Sequence, residues 1–76
     1  MKVQVYFKRF QQIHLLIQRG SATSPQQLAK SLSLSEPALY RYLKVLKEYG
    51  APIAYCRKRK KYYYTDPNFR WEDLKF

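Results

Sequence analysis

Seventy-six residues make one small domain, with room for a single core and no second lobe. Hydrophobic residues reach 46%, too many for a disordered tail, and no apolar run approaches the roughly 20 residues of a bilayer span. Fifteen Lys and Arg against five Asp and Glu give a net charge of +10, suited to a polyanionic partner, while one cysteine (Cys56) and one histidine (His14) exclude an internal disulfide and a self-contained zinc site.

The first helical signal covers residues 5–19. Tyr6, Phe10, Ile13 and Ile17 recur at steps of four, three and four, one face of an α-helix, and Gly20 follows as a natural stop. Phe7, Leu15 and Leu16 lie off that stripe, and His14 is expected on the helix surface. A short connector or minimal strand, Ser21-Ala22-Thr23, leads to a helix start at Ser24-Pro25-Gln26-Gln27. Ser24 caps, Pro25 takes the first helical position and Gln27 can bond back, as in a capping box. This helix turns Leu28, Ala29 and Leu32 to one side.

A second start follows at once. Ser35 caps a helix whose first turn holds Glu36 and Pro37, and Gly50 ends it. Leu39, Tyr42, Leu43 and Leu46 form its inner face. Two helices joined by so few residues must cross steeply, the geometry of a helix-turn-helix. After Gly50 the period changes to two: Ile53 and Tyr55 share one side of a strand, Tyr62 and Tyr64 one side of another, with Cys56 as a small strand residue. Between the strands lie Arg57, Lys58, Arg59, Lys60 and Lys61, so the segment reads as a β-hairpin with a basic tip. Phe69, Trp71, Leu74 and Phe76 in the remaining residues have no clean period; Asp66-Pro67 can cap a short turn.

The order helix, helix, turn, helix, hairpin resembles the winged helix-turn-helix family. The likeness is to the DNA-binding heads of biotin-repressor-type and deoxyribonucleoside-regulator-type bacterial proteins, over residues 13–65. Pro25-Gln26-Gln27-Leu28-Ala29-Lys30-Ser31-Leu32, Leu34-Ser35, Leu39-Tyr40-Arg41-Tyr42-Leu43-Lys44-Val45-Leu46, Gly50-Ala51-Pro52-Ile53-Ala54-Tyr55 and Tyr62-Tyr63-Tyr64 carry it. The resemblance implies a mainly α fold with a small β-hairpin, a three-helix bundle plus wing. It also implies that the third helix is the reader. Two positions depart from the family pattern: Ser33 stands where the turn usually has glycine, and residues 57–61 of the wing contain none.

The charge follows the same division. Residues 41–61 hold eight of the fifteen basic residues and one acid, Glu48. With the apolar face turned inward, the reader shows Glu36, Pro37, Tyr40, Arg41, Lys44 and Lys47. Arg41 can pair with a guanine edge, whereas Lys44, Lys47 and the wing residues Arg57, Lys58, Arg59, Lys60 and Lys61 suit phosphates. The expected function is sequence-specific binding of double-stranded DNA by a small transcriptional regulator or mobile-element accessory protein. The alternative is a winged helix used for protein–protein or RNA and ribosome binding. No catalytic set is evident, so no enzyme is expected. Nor are a cofactor, a metal, a membrane association or a small-molecule effector domain in this chain. The expected location is cytoplasmic, with the nucleoid. Residues 1–65 form the expected domain and 66–76 a tail that packs on it or at an interface. Leu15, Trp71 and Phe76 have no obvious home, and a homodimer is the corresponding expectation.

Overall fold

The computed structural model describes residues 3–75, with side chains from Phe7 onward. Three helices come first: α1 (Val3–Gln18), α2 (Pro25–Ser31) and α3 (Glu36–Glu48). They are followed by an antiparallel hairpin of β1 (Ile53–Cys56) and β2 (Lys61–Tyr64), then a 3-10 turn at Trp71–Asp73. The winged helix-turn-helix architecture expected from the sequence is the one the chain adopts.

The helix starts are local in origin. Ser24 Oγ accepts from the Gln27 backbone N–H and Ser35 Oγ from the Ala38 N–H, each at 3.3 Å, and a proline in each first turn lacks the N–H that would otherwise need a partner. The return bond expected from the Gln27 side chain is not formed among the described residues; Gln27 instead accepts from Ser31 Oγ through its backbone carbonyl, at 2.9 Å.

The three helix ends share one device. After α1, Ser21 N–H reaches back to the Leu16 carbonyl (2.8 Å) and Gly20 N–H to Ile17 (3.1 Å). After α2, Leu34 N–H bonds Ala29 (2.8 Å) and Ser33 N–H bonds Lys30 (3.1 Å); after α3, Ala51 N–H bonds Leu46 (3.0 Å) and Gly50 N–H bonds Lys47 (3.1 Å). Each pair is a Schellman motif, which needs a left-handed residue just past the helix. Gly20, Ser33 and Gly50 supply it, with φ of 74°, 55° and 110°. Ser33 thus keeps the turn a glycine would make, at some conformational cost.

One core joins the elements. Phe10, Ile13 and Ile17 of α1 meet Leu28, Ala29 and Leu32 and then Leu39, Leu43 and Leu46 of α3, all buried. The side chain of Tyr6, expected on the α1 stripe, lies outside the described ones. Tyr42 is half-buried, its ring edge-on to Phe10 at 5.5 Å. The hairpin pairs Ile53 with Tyr64 and Tyr55 with Tyr62, which sets these four side chains on the core face, as the alternation predicted. Tyr62 N–H also bonds the Ala22 carbonyl at 2.7 Å, so the connector between α1 and α2 runs beside β2. Residues 57–60 close the hairpin without glycine, and Lys60 takes the left-handed conformation itself, at φ 53°.

His14 departs from expectation. It is buried, 8% exposed, rather than on the surface. Phe10, His14 and Ile17 are spaced i, i+4 and i+7, so the stripe itself carries the histidine inward. Its Nδ1 forms a 2.7 Å hydrogen bond with Tyr64 Oη, and its ring lies near Trp71 (5.2 Å) and Phe69 (6.2 Å). Trp71 also meets Phe7 edge-on at 5.4 Å. The end of the described chain is fastened where Lys75 N–H bonds the Tyr49 carbonyl, at 2.9 Å. Asp66 opens this segment by accepting from Asn68 N–H, and Asp73 Oδ2 accepts from Arg70 N–H, both at 2.9 Å. Trp71 therefore has a home on its own domain; Phe76 lies outside the described residues, and Leu15 stays 45% exposed.

Candidate functional site

The core fixes which side of α3 faces outward. Leu39, Leu43 and Leu46 point into the protein, so Pro37, Arg41, Lys44 and Glu48 stand at the opposite side, all exposed. Tyr40, 51% exposed, and Lys47 flank them on the edge toward the hairpin. Glu36 sits at that edge too and is half-buried. The Tyr62 hydroxyl is pushed up to about 12, mainly by burial and further by its neighbours Tyr40, Tyr55 and Glu36. Tyr40 and Glu36 thus lie on the side of α3 whose charges reach the hairpin. Glu48 on the outward face was not singled out by the sequence reading.

The wing residues Arg57, Lys58, Arg59, Lys60 and Lys61 are all exposed. Arg57, Arg59 and Lys60 border an open cleft of about 580 Å³ whose far wall is Thr23, Ser24 and the first turn of α2. A second cleft, of about 560 Å³, lies between the end of α1 and the hairpin; Arg19, Arg59, Lys61 and Tyr63 border it. Arg59 faces both. The connector bonded to β2 through Ala22 brings the end of α1 to the hairpin, so Arg19 joins the basic region although it lies far away in sequence. Tertiary contacts, not sequence spacing, reveal it.

Arg9, by contrast, is committed to the fold: its Nη1 donates to the Leu32 carbonyl at 2.6 Å, at the C-terminal end of α2. No group of three or more His, Cys, Asp or Glu among the described residues could hold a metal ion. No described helix is long and apolar enough to cross a membrane.

What the surface offers is the exposed face of a helix about 10–12 Å across with its side chains, carrying arginine and lysine. Beside it stands a two-stranded hairpin with a cationic tip. A B-form major groove, about 12 Å wide, admits such a helix. The sequence model of the family described as "HTH domain" matches residues 8–64, from α1 to the end of β2. No curated protein matches the chain, and no solved structure does.

Proposed function

The chain belongs to the HTH domain family, and from that premise we propose that it binds double-stranded DNA sequence-specifically, as a small transcriptional regulator or a mobile-element accessory protein. The observation that supports this reading best is the outward face of α3: Pro37, Arg41 and Lys44 exposed together, with Tyr40 and Lys47 on the flank nearest the wing. Arg41, near the middle of the helix, pairs with guanine O6 and N7; Lys44 and Lys47 meet phosphates. In this reading Arg57, Lys58, Arg59, Lys60 and Lys61 set the wing on the backbone or in a minor groove. Glu36, half-buried in the first turn of α3, borders the DNA-contact face at its start. HTH domains generally serve as DNA-binding rather than catalytic modules, and the protein acts through occupancy of its site.

The molecule measures 32 × 29 × 17 Å, and its broad dimension spans about nine base pairs at 3.4 Å each. Five to eight phosphate contacts fit such a footprint, giving a slope of log affinity on log salt of about −4 to −7. The test is a salt titration of binding to duplex DNA, with duplex RNA of matching sequence as competitor. The deep, narrow groove of A-form RNA excludes α3, so RNA should compete at least about tenfold less well. A slope near zero, or equal competition by RNA, contradicts the proposal. Sedimentation of the free and DNA-bound protein distinguishes a single half-site from the two-fold related half-sites a homodimer would need.

A further inference from the structure

The cleft between α1 and the hairpin is lined by no residue of α3, and Arg59 is the residue it shares with the cleft at the wing tip. Its floor is apolar, formed by buried Ile17 and half-buried Cys56, and one wall is Tyr63, which points away from the core and is 45% exposed. Its rim carries Arg19, Arg59 and Lys61, and no acid lines it. Among the described residues no hydrogen bond or ion pair engages these three cations. Lys61 leans across the rim: its Nζ lies 4.0 Å from where a Cβ on Gly20 would stand. The volume, about 560 Å³, falls in the range of small-ligand sites, about 300–1,000 Å³.

We propose that this cleft holds one unpaired nucleotide of a bound DNA strand, its base against Tyr63 and its phosphate among Arg19, Arg59 and Lys61. The inference rests on the reading of the chain as a DNA-binding module. A duplex presents phosphates outward and hides its base faces, so an apolar floor and an aromatic wall offer a duplex backbone nothing. An unpaired base finds a stacking surface there, and every base has a face to stack. The strand reaches the cleft through Arg59, which also borders the cleft at the wing tip, so one cation serves two successive stretches of backbone. The cleft is open to solvent, which disfavours a free nucleotide. A strand tethered by the neighbouring duplex arrives at a high effective concentration.

The experiment compares a blunt duplex with the same duplex carrying short single-stranded thymidine overhangs, by fluorescence polarisation. The overhang should tighten binding on the order of tenfold. Tyr63→Ala should abolish that gain while leaving blunt-duplex affinity within about twofold, Tyr63→Phe should keep it, and Arg19→Ala should weaken the overhang duplex more than the blunt one. Cys56, the only cysteine of the chain, gives an independent readout at the cleft floor: the overhang duplex should slow its alkylation and the blunt duplex should not. Equal affinity for blunt and overhang duplexes overturns the proposal, as does a Tyr63→Ala variant that weakens both alike. Protection of Cys56 by thymidine monophosphate at the concentration where the overhang protects overturns the strand as the source. If blunt duplex does not bind at low salt, the duplex reading falls by itself. A single-stranded thymidine oligonucleotide then decides the cleft, supporting it if Tyr63→Ala abolishes binding and refuting it if the variant binds unchanged.

Discussion

His14 is the residue whose environment differs most from what its chemistry favours in isolation. Burial lowers its pKa below the ordinary 6.5, and the nearby Glu72 carboxylate opposes part of that shift. Burial also raises the pKa of the Tyr64 hydroxyl, so burial favours the neutral form of both partners. A histidine whose folded pKa lies below its unfolded value binds fewer protons folded than unfolded. Its contribution is complete above pH 6.5 and is lost as pH falls through that value toward the folded pKa. The stability of the wild type should therefore decline from pH 7 to 5 more steeply than that of His14→Asn, measured by urea unfolding across that interval. Equal slopes would mean that His14 does not titrate with unfolding. Tyr64→Phe, which leaves the buried Nδ1 without its partner, should cost about 1–3 kcal/mol at pH 7; a loss below about 0.3 kcal/mol would show that water replaces the hydroxyl.

At the scale of elements, much was legible because the signals were local. Two serine–proline starts, two glycine stops and a change of period from 3.6 to 2 marked α2, α3 and the hairpin in the sequence, and all lie where those residues place them. What was hidden depended on contacts distant in sequence. Phe69 and Trp71 of the last segment have no period because a turn, extended backbone and a 3-10 turn carry them. Their places are set by Phe7, His14 and Tyr64, which lie on other elements. The same holds for Arg19. His14 was legible in principle, since its spacing to Phe10 and Ile17 places it on the stripe; reading it as a polar surface residue gave its chemistry more weight than its position. Ser33 shows the opposite case, a position whose required conformation overrides its residue type. Ser33→Gly should raise stability by about 0.5–1 kcal/mol, because glycine enters the left-handed region without the steric cost serine meets. Thermal unfolding checks it, and a destabilised variant would mean that the φ of 55° carries no strain. In the proposed function the hairpin tip meets phosphates. Lys58→Ala with Lys60→Ala should weaken preferred and random duplexes alike and reduce the salt slope by about one unit per lost phosphate contact. A changed sequence preference would instead make the wing a reading element in a narrow minor groove.

At the scale of the whole molecule, a +10 charge is spread over a body whose fold uses few of those cations; Arg9 is one that it does use. The described wing cations stand exposed, and α3 presents three more beside them. Charge alone accounts for attraction to any polyanion; in the proposed function, discrimination among sequences comes from the orientation of α3, set by Leu39, Leu43 and Leu46 in the core. The claim that separates these two is that Arg41 reads a base. The most direct test is selection from a random pool of DNA duplexes by the wild type and by Arg41→Ala, both first shown to be folded. The account predicts an enriched motif for the wild type. In the variant one position, a guanine, should lose its preference while the rest of the motif persists, at a cost of about 1–3 kcal/mol on the selected site. No motif for the wild type, or one that Arg41→Ala leaves intact at every position, would contradict it.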